Sequence, residues 1–146
     1  MMPVSFAGVR WLRIISAAVV AFLGSLAITF LIVTGYAFTL GVEARGAPDP
    51  TKISAFAHRV GPEWGPVILA LLTAIGASWA ARRVTEAGRH GVLVGAIAAT
   101  AGLLPAWPPD GRDAVMFGAV VGAGWVGGLV GRRSKRPISG SAAGAA

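Results

Sequence analysis

Residues Ile14–Leu40 run for 27 positions without one charged side chain. About 20 apolar residues suffice to cross the hydrocarbon core of a bilayer, so this run needs lipid around it more than it needs a soluble core. Three further apolar stretches follow, Pro66–Ala81, Gly91–Trp107 and Ala114–Gly131, of 16, 17 and 18 residues. They sit at or below the lower end of the spanning range of about 17–25 residues, and each borrows flanking residues or thins the bilayer locally. The first stretch is long enough to tilt or to project beyond the membrane. Across all 146 residues only 13% are charged, against about 25% in an ordinary soluble domain. No polar segment between the stretches reaches the roughly 40 residues that a self-supporting soluble core requires. The expected fold is therefore all-α and polytopic, with four transmembrane helices in a bundle. Residues 1–138 form one domain, and the small, low-complexity tail 139–146 is expected to be disordered.

The distribution of charge sets an expected orientation. Arg10, Arg13, Arg82, Arg83, Arg89, Arg132, Arg133, Lys135 and Arg136 lie on the side shared by both termini, with Glu86 as its one acid. The opposite side carries Arg45, Lys52, Arg59 and Arg112 with five acids, so the net charge of +7 divides into +8 and −1. Basic residues concentrate on the cytoplasmic side of membrane proteins, which places both termini in the cytoplasm of a bacterial or archaeal cell whose inner membrane holds the chain. Arg82, Arg83, Arg132 and Arg133 form a basic boundary suited to anionic headgroups. They have no interleaved aromatics, so nucleic acid is not an expected partner. Trp11, Trp79 and Trp125 fall toward one end of the spans, and Trp64 and Trp107 toward the other, as expected of indoles anchored at the two lipid interfaces. Tyr36 is read the same way. The basic residues ahead of the first span resemble a signal peptide, but signal h-regions run to about 7–15 residues, so a retained signal anchor is expected.

The connector between the first two spans carries its own helix signal. Asp49-Pro50 reads as an N-cap followed by proline at the first helical position. Ile53, Phe56, Ala57 and Val60 share one face at helical spacing, and Gly61-Pro62 reads as a stop. A short amphipathic helix lying on the membrane surface or across the bundle mouth is expected. Pro105 is expected to bend or end the third span.

Helices in lipid gain nothing from hydrophobic burial against one another, so small residues that permit close backbone approach carry the packing. The first span has Ala17, Ala21, Ser25 and Thr29 in a row, the second Ala70, Ala74 and Ser78, and the third Gly91, Gly95 and Ala99. The fourth is densest, with Ala119, Ala123, Gly127 and Gly131 in one row and Gly118–Gly122 and Gly124–Gly128 beside it. Ala119, Gly122, Ala123, Gly124, Gly127, Gly128 and Gly131 are the candidate packing or subunit-interface residues.

Reactive chemistry has little to work with. The chain has no cysteine, asparagine or glutamine, which removes thiolates and side-chain amides. No acid, lysine or arginine falls within an expected span, which disfavours an ion-coupled exporter. His58 and His90 both fall in connectors, so they do not suit axial ligation of an embedded haem, and His90 is grouped with Arg89 at the basic boundary. The polar groups Glu43, Arg45, Asp49, His58, Arg59, Glu63, Asp110, Arg112 and Asp113 lack metal-ligand spacing. No catalytic residue, metal or cofactor is expected.

The pattern Arg89-His90-Gly91-Val-Leu93-Val-Gly95, with Gly124-Trp-Val-Gly127-Gly128-Leu-Val-Gly131-Arg132-Arg133, resembles small integral membrane proteins of bacteria and archaea whose activity is uncharacterised. The resemblance covers the second half best. It implies a four-helix bundle and supplies no substrate, cofactor or catalytic residue. The expected role is non-enzymatic: helix packing within a homo-oligomer, or as an accessory subunit beside other transmembrane chains. The alternative is a small channel or carrier lined by glycine backbone and the Ser25, Thr29 and Tyr36 stripe. An enzyme of lipid or quinone chemistry would rest on His58, Glu63 and Asp110 alone.

Overall fold

A computed structural model describes residues 10–82, 84–104 and 108–133. The structure is all-helical, with α1 (Trp11–Glu43), α2 (Pro50–Ala80), α3 (Ala87–Leu103) and α4 (Gly111–Arg133). Three of these, α1, α2 and α4, are long and apolar enough to cross a membrane. The 17 residues of α3 rise about 26 Å, somewhat less than a hydrocarbon core of about 30 Å. Pro105, Trp107, Arg83 and the tail 139–146 lie outside the described residues.

The largest departure from the sequence reading concerns α2. No separate amphipathic helix precedes it: one helix runs from Pro50 through Gly61-Pro62 and Pro66 to Ala80. Its start follows the expected capping, the Asp49 carboxylate accepting a hydrogen bond from the Thr51 N–H at 2.9 Å. The face of Ile53, Phe56, Ala57 and Val60 is turned at least partly inward. Val60 is buried, and the Phe56 ring stacks on Tyr36 with centroids 4.0 Å apart and planes 20° from parallel. Tyr36 is thus half of an inter-helix aromatic pair. Proline keeps a helical φ but forfeits its own N–H bond and crowds the i−4 carbonyl, so the helix continues where neighbouring helices support it.

Bonding to the Thr51 amide holds the Asp49 carboxyl below its ordinary 3.8. A carboxylate with a depressed folded-state pKa contributes stability that is present above 3.8 and is lost as pH falls through the lower folded value. The first turn of α2 is therefore expected to lose amide protection on acidification below that point. Asp49→Asn, which still caps, should show a flat pH response by hydrogen exchange at Thr51.

The α1–α2 connection is a Schellman turn, with Gly46 N–H bonded to the Gly41 carbonyl and Arg45 N–H to that of Val42, both at 3.2 Å. Arg45 occupies the left-handed position with φ of 49°, where a side chain costs about 1 kcal/mol or more. Arg45→Gly should raise the thermal midpoint of the solubilised protein by a few degrees, and an unchanged or lower midpoint would refute the assignment.

Helices α2 and α3 each contact all three of the others, whereas α1 and α4 share no extensive contact. The core is built from small and medium side chains, including Ile14, Ala17, Ala18, Leu69, Ala77, Val94, Ala98 and Val120. Much of the contact is backbone on backbone. A Cβ at Gly91 would collide with the Gly124 carbonyl oxygen, and one at Gly124 with that of Gly91. A Cβ at Gly95 would lie 2.8 Å from the Val121 Cα, and one at Gly128 would lie 2.5 Å from the Ala87 carbonyl oxygen. On the other side of α4, Gly127 abuts the Ala74 carbonyl and Gly131 that of Ser78. The outer surface is the reverse of a soluble protein's, with Leu12 83%, Phe38 72% and Phe30 70% exposed. Apolar cover on this scale marks a surface that meets a membrane or another protein.

Candidate functional site: a polar-rimmed cavity beside the prolines of α2

Two prolines four residues apart open the α2 backbone. Pro66 has no N–H to give to the Pro62 carbonyl, its usual i−4 acceptor. The Arg112 guanidinium, from the first turn of α4, donates to that carbonyl at 3.1 Å. One turn further along, the Ser25 hydroxyl of α1 donates to the Gly65 carbonyl at 3.3 Å. Backbone polarity freed inside a helix in lipid must be satisfied by neighbours, and Arg112 does so for the Pro62 carbonyl, while Ser25 adds a side-chain bond from α1 to the Gly65 carbonyl.

A partly open cavity of about 490 Å³ lies against this segment, within the range of about 300–1,000 Å³ typical of small-molecule sites. Helix α1 contributes Phe22, Ser25, Leu26 and Thr29, and α2 contributes the Gly61-Pro62 and Gly65-Pro66 pairs with Leu69. The end of α3 (Ala99, Gly102, Leu103) and the start of α4 complete it. Its wall is mainly apolar, and its charged groups are Asp110, Arg112 and Asp113 at the mouth. Asp110 and Asp113 cap α4 reciprocally: Asp113 N–H donates to Asp110 Oδ1 at 2.9 Å, and Asp110 N–H to Asp113 Oδ2 at 3.0 Å. This is the capping-box arrangement, satisfying orphan amides at the helix start. Among the described residues the one ion pair within 4 Å is Arg89–Glu86. Arg112 is thus paired with neither neighbouring carboxylate.

The other candidate residues are distributed as follows. Gly124, Gly127, Gly128 and Gly131 are buried between α4 and its neighbours, and Ala123 is partly buried. Ala119 is exposed, and Gly122 is exposed with open space where a Cβ would stand. Trp11, Trp64, Trp79 and Trp125 are each about half exposed, and Trp125 lies against Gly88. Arg82, Arg132 and Arg133 are exposed. Of the expected polar stripe, Ser25 and Thr29 face the cavity, while Tyr36 is stacked on Phe56 away from it. No three His, Asp or Glu residues among those described converge on a possible metal position, so His58, Glu63 and Asp110 do not form a shared metal centre.

His90 departs most from its expected place. It belongs to the first turn of α3 and is 2% exposed, not part of a solvated basic boundary. Its Nε2 accepts a hydrogen bond from the Arg10 N–H at 3.4 Å, and its Nδ1 lies 3.1 Å from the Glu86 carbonyl oxygen. A neutral ring with the proton on Nδ1 satisfies both contacts. No sequence signal pairs His90 with the start of α1, because that partner is a backbone amide. No family model matches the chain, and no curated protein or solved structure is significantly similar to it.

Proposed function

We propose that this chain is a non-enzymatic integral membrane protein whose four helices cross one bilayer as a bundle, and which acts by packing against other transmembrane helices. The partner is a second copy or the subunits of a larger membrane complex. The observation that carries the reading is the division of small residues on α4. Gly124, Gly127, Gly128 and Gly131 are used up within the chain, whereas Gly118 and Gly122 have open space where a side chain would be. Ala119, Val115, Val126 and Val130 accompany them on the exposed face. Such a face allows another helix to approach closely. The +8 and −1 division of charge supports cytoplasmic termini in a bacterial or archaeal inner membrane, with Arg82, Arg132 and Arg133 against anionic headgroups.

The test is the mass of the assembly after gentle extraction from its native membrane. A defined oligomer or complex is expected, and it should weaken in a Gly118→Leu/Gly122→Leu double variant whose monomer still folds. A solitary monomer would overturn the proposal. A second reading, a small carrier or channel, is favoured by the cavity at Ser25 and Thr29. It requires solute flux in reconstituted liposomes, and a tight membrane across ions and small solutes would exclude it.

A further inference from the structure

The rim of the cavity carries charges of both signs that do not neutralise each other. Arg112 spends one guanidinium nitrogen on the Pro62 carbonyl, and guanidinium has five N–H donors. Asp110 uses Oδ1 and Asp113 uses Oδ2 in the α4 cap, which leaves one oxygen on each carboxylate without a hydrogen bond among the described residues. Thr29, on the wall, makes no hydrogen bond within the described protein. Behind this rim, Phe22, Leu26, Leu69 and Phe117 offer apolar wall to whatever enters. Because α1 and α4 have no extensive contact, nothing zips the wall shut between them.

We infer that the cavity binds one phospholipid with a zwitterionic ethanolamine headgroup, its phosphate on Arg112, its ammonium between Asp110 and Asp113, and an acyl chain along the apolar wall. Both halves of the headgroup are matched. A phosphate oxygen takes charge-assisted hydrogen bonds from the free guanidinium N–H groups, and a primary ammonium brings donors to the two unengaged carboxylate oxygens. A choline headgroup offers the same charge without those donors. A glycerol headgroup leaves the lipid anionic against a rim of net charge −1, and it has no cation for the carboxylates. The site rests on the reading that these helices are embedded in lipid. That reading is tested separately: alkaline washing that strips the chain from membranes would refute it whatever the lipid selectivity.

The full chain is reconstituted in vesicles of equal parts phosphatidylethanolamine, phosphatidylcholine and phosphatidylglycerol, re-extracted in mild detergent, and weighed intact by native mass spectrometry. One retained lipid per chain is expected, with ethanolamine favoured over glycerol by about tenfold, equivalent to about 1.4 kcal/mol. Asp110→Asn/Asp113→Asn should preserve the α4 cap and bring ethanolamine retention down to the choline level. Arg112→Gln should lower retention of all three lipids together. Thr29→Trp should empty the cavity of lipid; if it fails to fold by circular dichroism, Leu26→Trp fills the same wall from the next turn. No retained lipid, equal retention of the three headgroups, or selectivity unchanged in the double asparagine variant would each overturn the proposal.

Discussion

Replacing Gly127 with alanine is expected to destabilise the protein by about 2–3 kcal/mol, at the upper end of overpacking costs. The new methyl group would collide with the Ala74 carbonyl oxygen and lie 2.8 Å from the Ala74 Cα. Neither atom can rotate away, since both belong to the backbone of α2, so the two helices must separate and the loss spreads along their contact. Gly91→Ala and Gly124→Ala should behave likewise at the α3–α4 seam, where each new Cβ meets the other glycine's carbonyl. Gly118→Ala and Gly122→Ala provide the opposite sign. Their Cβ positions meet nothing within 4 Å in the single chain, and for the monomer in detergent alanine improves on glycine within a helix by about 1 kcal/mol. Thermal unfolding of the five purified variants in one detergent measures the contrast. A Gly127→Ala protein as stable as Gly118→Ala would mean that α2 and α4 do not meet in this register.

His90→Leu is expected to cost about 1–3 kcal/mol, the range for leaving buried polar groups unsatisfied. The substitution is similar in bulk, but it removes the acceptor of the Arg10 N–H and the ring nitrogen beside the Glu86 carbonyl. Arg10 is the N-cap of α1 and offers no side-chain cap of its own, so the start of that helix should fray. Hydrogen exchange localises the effect: faster exchange is expected at Arg13 and Ile14, whose N–H groups bond the Arg10 carbonyl, with little change at the far end of α1. A uniform acceleration along α1 would show that His90 is merely filling space.

The helices themselves are legible in the sequence because long apolar runs report their own environment. The expected 114–131 lies within the observed Gly111–Arg133, and 14–40 within Trp11–Glu43. The Gly61-Pro62 boundary fails for a definite reason: a local breaker signal carries no information about a helix lying alongside, and here Arg112 of α4 supplies a donor to the carbonyl that Pro66 leaves without one. The small-residue rows are equally visible as rows. Which of them meets another helix is decided by the rotation of α4, which sets Gly124 and Gly128 against α3 and leaves Gly122 outward. The cavity is least legible of all. In the sequence Arg112 and Asp110 belong to an ordinary polar loop, and their relation to Ser25 and Pro62 arises from the convergence of segments far apart in the chain.

The hydrogen bond between Arg10 and His90 joins positions 80 residues apart, which has a consequence for birth order. A ribosome adding about 5–20 residues per second completes the start of α1 several seconds before the imidazole exists. Throughout that interval the contacts with α2, among them Ser25 on the Gly65 carbonyl and Tyr36 on Phe56, can already hold the body of α1, while the Arg10 N–H still lacks its acceptor. The earliest turn of the chain is thus among the last to be tied down. Nascent chains stalled before His90 should therefore show faster amide exchange at the start of α1 than chains in which the histidine has emerged.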